Sequence, residues 1–599
     1  MGDTLSKITN NILNLITSIS LLLLVYSLFI LRGIQPEGYT VNIYEQLPFH
    51  FYLTLLLCYL SACVLLLAYR KMSAVFILLL VHITVLITPH MLGYVSICRG
   101  GFSYFDLARQ VSLCNLLSFS DLSPTGPLLV SALAQVSGLK TSALSYFLPV
   151  FFSILFIIGM YLFYRIFMSR EKLVLTTFLS SLIPYFGHFQ TSSVPYYLCF
   201  CLIPLYLLVL RSAISDKNRA MAVCLLFMMP LIPLAHPFIF AYLACFSLLL
   251  LCSSKVLKPG FLRNILSLKF LFSDASHSAG RKMPVFVLSL TLVGFLLCTK
   301  YISQFFDTSI SNVILRAKTL VAAGFSTIPS TENGFLDFVH LLNLYYGKYY
   351  IPLVFILINS VIVWQNRKRF CHHFVRRYPR FLGLYIVTFC LELVFLLNPF
   401  IPYSPDRFAN LSFIIFAQIP LLGYSLYIIF LRKGYTLGLG SAVLVLCLLW
   451  TLGFFTCFSS PYTGGISESI SENEVDGIQW LSGVREPYLY FTSDVDTDLS
   501  RTSGILSSNM NWTTGLADVP KKPLYIYKND LKNGISVETA VENEPFYVIK
   551  TTFSEALTAS ERESDETSVS TGSASKAQTA YPVYKIYDSL NIEIYEHMP

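Results

Sequence analysis

Charge is what this sequence has least of. Asp, Glu, Lys and Arg make up 13% of 599 residues, against about 25% in soluble proteins, so the chain cannot dress itself as an ordinary water-facing globule. Cysteine stops at Cys457, and the 14 cysteines are scattered through apolar runs and short loops, which excludes a disulfide framework. Cys98 and Cys114 flank one stretch and would be able to pair if both face an oxidising space; the favoured reading is two small apolar residues. No small-residue cleavage site follows the first apolar run, Asn11–Leu31, so that run is a retained span and not a signal peptide. No internal repeat is present. The segment 97–141 has no D-x-D acidic pair, which argues against a metal site there built from such a pair.

What is present is apolar. Hydrophobic residues account for 55% and aromatics for 15%, with mean hydropathy +0.62. Apolar runs long enough to cross a bilayer recur near 11–31, 49–68, 73–96, 142–164, 173–188, 194–210, 220–235, 237–254, 283–299, 350–364, 381–399, 408–431 and 435–457. The expected fold is a polytopic α-helical membrane protein of about 13 spans over residues 1–457. The piece 124–139, PTGPLLVSALAQVSGL, is too short and too rich in Pro and Gly for a span; it reads as a re-entrant or interfacial helix.

Basic residues fix the orientation. With the N-terminus cytoplasmic, the inner loops carry 22 Lys and Arg and the outer loops nine, as the positive-inside rule requires. The first outer loop (97–141), the long loop 300–349, the 400–407 turn and residues 458–599 then all face outward. A plasma-membrane, multi-pass location follows. The net charge of +8 is spread over these short loops and gives no reason to expect nucleic acid.

After Cys457 the composition changes. ISENEVDGIQWLSGV places apolar residues at helical spacing behind a Ser-x-x-Glu start, which predicts a capped helix. PYLYFTSDV, PLYIYKN, PFYVIKTTF, YPVYKIYDS and NIEIYEH read as strands. The stretch 554–579 is Ser/Thr/Glu-rich without periodicity and reads as a flexible loop. Residues 458–599 are therefore expected to form an extracytoplasmic α/β domain.

Ionisable groups near a membrane are functional candidates by default. The outward set is Asp106, Arg109 and Asp121 in the first loop, His90 at the end of the third run, His188 in FGHFQTSS and His236 in LAHPF. Asp337 and His340 lie in the long loop, and Tyr403, Asp406 and Arg407 in YSPDRF. A carboxylate can take a proton from an attacking hydroxyl or bind a metal. An arginine can clamp a phosphate through two parallel hydrogen bonds. A base and a phosphate clamp on one membrane face are what a lipid-phosphate-linked sugar donor requires. Each residue also has a structural use: Asp106 suits a helix N-cap, Asp121 a proline turn, and Arg407 an interfacial anchor paired with Asp406.

The layout resembles the GT-C superfamily of integral-membrane glycosyltransferases. The parts that carry the resemblance are SYFDLARQVSLCNLLSF, SPTGPLLVSALAQVSGL, LAHPFIF and PYSPDRFANLSFIIFAQIPLL, with NEVDGIQWL and VYKIYDSLNIEIYEH similar to the outer domain of archaeal members. The resemblance implies sugar transfer from a polyprenyl-phosphate donor to a glycan, lipid or protein acceptor. It implies Asp106 as the catalytic acid or base, Arg407 on the donor phosphate, and His236, Arg109, Tyr403 and His188 around the substrates. No cofactor is required, and a divalent metal held by Asp106 with Asp121 is the alternative. Two registers stay open. In one, FDLARQ begins with the catalytic acid; in the other, Asp106 is the second position and Gly101, Phe102 or Ser103 stands where the acid would be. The rival functions are a transporter of lipid-linked saccharide, whose sign would be mid-span charge such as Glu392, and an inactive surface scaffold.

Overall fold

A computed structural model describes residues 2–34, 39–69, 71, 73–96, 125–139, 141–166, 168–185, 195–215, 219–235, 239–240, 243–244, 247, 289, 291–294, 296, 350–365, 411–431, 435–458, 460, 469–484, 490–492, 524–525, 546–551, 583–589 and 592–597. The helices are α1 (Gly2–Gly33), α2 (Phe49–Leu67), α3 (Ser73–Met91), α4 (Thr125–Ser137), α5 (Thr141–Arg165), α6 (Arg170–Ser181), α7 (Pro195–Ser215) and α8 (Arg219–Ala235). They continue with α9 (Tyr350–Gln365), α10 (Leu411–Leu426), α11 (Tyr435–Phe455) and α12 (Glu472–Val484). Five of them contain stretches long and apolar enough to cross a membrane: Asn10–Gly33, Phe49–Leu67, Ser73–Met91, Tyr146–Arg165 and Gly438–Phe455. Such helices are apolar on all sides, so their outward faces keep large side chains such as Leu15, Leu22 and Phe29 exposed where a water-soluble helix would be polar. The chain is a multi-pass membrane protein.

Helix association here rests on close backbones and small polar contacts, because lipid supplies no hydrophobic drive between helices. Ser20 on α1 and Ser61 on α2 share a hydrogen bond of 2.7 Å. Helices α5 and α7 run parallel: Phe156 stacks on Phe200 at 5.4 Å, and Gly159 lets Pro204 and Leu205 approach to 3.2 Å of where a β-carbon would stand. Helix α10 runs antiparallel to α6, with Gly423 lying directly against Thr176. Tyr59 of α2 stacks on Trp450 of α11 at 5.3 Å.

The third predicted span is shorter than its apolar run. Gly93 takes a left-handed conformation, φ 83°, and its N–H donates to the His90 carbonyl at 3.0 Å, ending α3 in the manner of a glycine cap. The next residues form β1 (Tyr94–Ser96), which pairs antiparallel with β2 (Ile470–Ser471). The 124–139 segment is the 13-residue α4. At 1.5 Å per residue it is about 20 Å long, short of the roughly 30 Å hydrocarbon core, and Gly138 ends it at φ 69°. The fifth predicted span closes early in a 3-10 turn, Ile183–Tyr185.

Helix α12 begins with the expected capping box. Ser471 N–H donates to Glu474 Oε2 at 2.7 Å, and Glu474 N–H donates to Ser471 Oγ at 3.3 Å. The remaining strands are β3 (Tyr490–Thr492), β4 (Leu524–Tyr525), β5 (Phe546–Thr551), β6 (Val583–Ser589) and β7 (Ile592–His597), ordered β4-β3-β5-β7-β6. β3 is parallel to β4 and β5, and β7 is antiparallel to β5 and β6. Each falls inside one of the five segments read as strands.

Candidate functional site

The end of the bundle that carries β1 gathers the features of a site. Here the short connection after α1 is bolted down. Tyr44 donates its hydroxyl hydrogen to the Phe454 carbonyl at 2.7 Å and accepts from Phe458 N–H at 2.9 Å, while Tyr52 donates to the Tyr44 carbonyl at 2.6 Å. Tyr94 shares a 2.8 Å hydrogen bond with Thr40 Oγ1 and accepts from the Thr40 N–H at 3.2 Å. Burial pushes both the Tyr44 and the Tyr94 hydroxyl above the usual phenol range, so both stay neutral and keep their hydrogen-bond roles at physiological pH.

Beside this seam, His90 at the end of α3 stacks on Tyr146 of α5 with ring centroids 4.0 Å apart. Glu472, whose N–H donates to the Gly93 carbonyl at 2.9 Å, lies within electrostatic range of both rings. The first residue of α12 thus joins a titratable cluster at the end of two membrane helices.

On the other side of α5 is an apolar cavity of about 370 Å³, within the roughly 300–1,000 Å³ of small-molecule pockets. Leu128 and Leu129 of α4, Phe152 of α5, Leu198 and Leu202 of α7, and Leu231 of α8 are among its lining. The short helix α4 forms one wall because its buried face, Val130 and Ser131, packs on Leu144 and Leu148 of α5. The cavity lies in the β1-end half of the bundle, since α7 starts and α8 finishes there.

Asp106, Arg109, Asp121, His188, His236, Tyr403 and Arg407 lie outside the described residues. The described residues that flank their segments are informative. The 97–124 segment leaves from Ser96 and returns at Thr125; 186–194 joins Tyr185 to Pro195; 236 follows Ala235; and 403–407 precede Leu411 at the start of α10. Antiparallel and parallel packing turn these chain ends toward the β1 half of the bundle, at different depths: Tyr185 reaches His82 in the middle of α3 at 5.2 Å, α7 is in step with α5, Met229 of α8 meets Tyr206 of α7, and α10 descends along α6. The topology therefore brings the described roots of these segments into one half of the bundle, the half that holds the cavity.

Two described residues have no counterpart among the sequence candidates: Glu472 beside His90 and the buried His82 of α3. For His82 a signal existed: an ionisable side chain in the middle of an apolar run. Among the described residues no group of three or more His, Cys, Asp or Glu is placed to hold a metal, and the metal alternative involves Asp106 and Asp121 outside them.

No protein-family profile and no curated protein matches the chain. Solved structures similar to it include ArnT from Cupriavidus metallidurans bound to undecaprenyl phosphate, at 10% identity over 87% of this chain and 97% of that one, with a TM-score of 0.46. The apo form of the same protein gives 10% identity, the same coverage and 0.43. The archaeal oligosaccharyltransferase AglB from Archaeoglobus fulgidus, in complex with an inhibitory peptide and a dolichol-phosphate, gives 12% identity over 72% of this chain and 63% of that one, with 0.38.

Proposed function

We propose that the chain is a GT-C-type membrane glycosyltransferase that moves a sugar from a polyprenyl-phosphate donor to an acceptor on the outer face of the plasma membrane. The observation that carries this reading is the apolar cavity of about 370 Å³ lying under the converging roots of the candidate-bearing segments. An isoprenoid tail needs an apolar slot within the bilayer, and its phosphate needs polar and cationic groups just above that slot. In this reading Asp106 is the general base toward the acceptor hydroxyl, Arg407 holds the donor phosphate, and His236, Arg109, Tyr403 and His188 line the space between. The reaction needs no metal. The N-terminus is cytoplasmic, and residues 458–599 are extracytoplasmic.

The test is sugar transfer by purified protein from a mixed pool of polyprenyl-phosphate sugars. Wild type is expected to transfer, Asp106→Asn to lose transfer, and Leu202→Trp, which fills the cavity, to lose transfer of long-chain donors while the fold is kept. Folded wild-type protein that transfers nothing from a broad pool would refute the reading.

A further inference from the structure

Helices α2 and α11 run antiparallel, and three pairs of side chains mark their register. Tyr52 meets Phe454 with ring centroids 5.5 Å apart. Tyr59 stacks on Trp450 at 5.3 Å. One turn further along, the thiols of Cys63 and Cys447 meet in a side-chain hydrogen bond. The pairs rise along α2 by seven and then four residues and fall along α11 by four and then three, so they follow one face of each helix. Cysteine is a short side chain, and two thiols that meet across a helix pair bring their β-carbons toward each other, as a disulfide requires.

Both cysteines are free, and they differ in access: Cys63 is buried and Cys447 half-buried. Cys447 stands at the edge of the stripe formed by Leu444 and Leu448, which are large, apolar and exposed on the lipid side of α11. Cys58, five residues before Cys63 on α2, points elsewhere, since its thiol donates to the Ser20 carbonyl of α1 at 3.4 Å. The pair also lies away from the candidate site. Cys63 is four residues before Leu67, where α2 ends, or about 6 Å at 1.5 Å per residue, and that end of α2 is the one opposite β1. A lone buried thiol is inert. Two thiols in contact can close a disulfide once an oxidant reaches one of them.

We propose that Cys63 and Cys447 are a reversible oxidation site, closed to an α2–α11 disulfide by a lipid-soluble two-electron oxidant of the quinone class. Both S–H bonds break and one S–S bond forms. The two protons and two electrons pass to the quinone, which leaves as the quinol. The quinone approaches Cys447 from the bilayer, and Cys63 supplies the second sulfur from behind it. The product ties α2 to α11, whose far end carries the Phe454 carbonyl that Tyr44 holds. This is one switchable bond, not a disulfide framework, and it does not depend on the sugar-transfer reading.

The experiment uses the reduced full chain in lipid nanodiscs. It is treated with a fully substituted benzoquinone, which leaves sulfur no open ring position to add to, or with the corresponding quinol. The protein is then unfolded, its remaining thiols are alkylated, and linked peptides are located by mass spectrometry with fragmentation. The quinone is expected to join Cys63 to Cys447 and the quinol to leave both alkylated; dithiothreitol added after the quinone should restore both thiols. Cys447→Ser should lose the link, and Cys58→Ser, which removes a thiol turned toward α1, should keep it. Alkylation of both thiols after quinone treatment of folded wild type overturns the site. Links scattered among other cysteines as often as between Cys63 and Cys447 overturn it too.

Discussion

Replacing Tyr44 with phenylalanine removes a single oxygen and frees two backbone groups at once. In the wild type that oxygen donates to the Phe454 carbonyl at 2.7 Å and accepts from the Phe458 N–H at 2.9 Å, and the side chains of Phe454 and Phe458 are 1% and 2% exposed. The ring keeps its edge contact with Phe454 and its tilted contacts with Phe455 and Phe458, so no cavity opens and the loss is polar. A buried group left without its partner costs about 1–3 kcal/mol. Taking about 2 kcal/mol for the Phe458 amide predicts roughly 30-fold faster local exchange at that amide, since 1.4 kcal/mol is a factor of ten. Hydrogen exchange read by mass spectrometry on a peptide covering 452–460 measures this. The effect also has a definite pH sign. Burial raises the Tyr44 hydroxyl well above the usual phenol value near 10, so its contribution is complete below that value and is lost only as pH rises through the higher, folded-state value. The difference between wild type and variant should therefore be constant from neutral pH to about 10. Unchanged protection in Tyr44→Phe, or a difference that fades between pH 7 and 9, would refute the reasoning.

Glu474→Ala should remove the reciprocal cap at the start of α12, where Ser471 N–H donates at 2.7 Å. The expected loss is about 1–2 kcal/mol of local stability, seen as faster proteolysis and exchange within 470–484. Gly159→Leu should force α5 and α7 apart, because even a β-carbon would stand 3.2 Å from Pro204 Cβ and Leu205 Cγ; overpacking of about 1–3 kcal/mol should lower the thermal midpoint, with Gly159→Ala milder.

How much of this was legible beforehand depended on the range of the signal. Apolar runs placed the helices, since a bilayer demands a long run and the chain supplies it. The Ser-x-x-Glu start of α12 was legible because a capping box is a four-residue device. The β1–β2 seam was not, because its strands are two and three residues long and each borrows its stability from a partner far away in the chain. Tyr44 gave no sign either. It stands in a four-residue 3-10 turn with no periodicity to betray a buried clamp. Of the candidate site, sequence named the acids, bases and the arginine. The charge bias put their segments on one membrane face, but it could not show that the described roots of these segments lie around one apolar cavity, nor that α12 would bring Glu472 beside His90.

The β1–β2 seam also says something about biogenesis. Tyr94 and Ser471 are paired across 377 positions, whereas α1, α2 and α3 are neighbours both in sequence and in space. A ribosome that has delivered the first three helices has delivered the contacts they make with one another, yet β1 must wait for nearly four hundred more residues. Until then its edge stands open to pairing with any extended segment. β2 follows every described bundle helix in the chain, so the β1 edge is paired only after those helices have been made. Chains cut short before Ile470 would carry an assembled bundle and an untied edge, a state that quality-control machinery could tell apart from the finished protein.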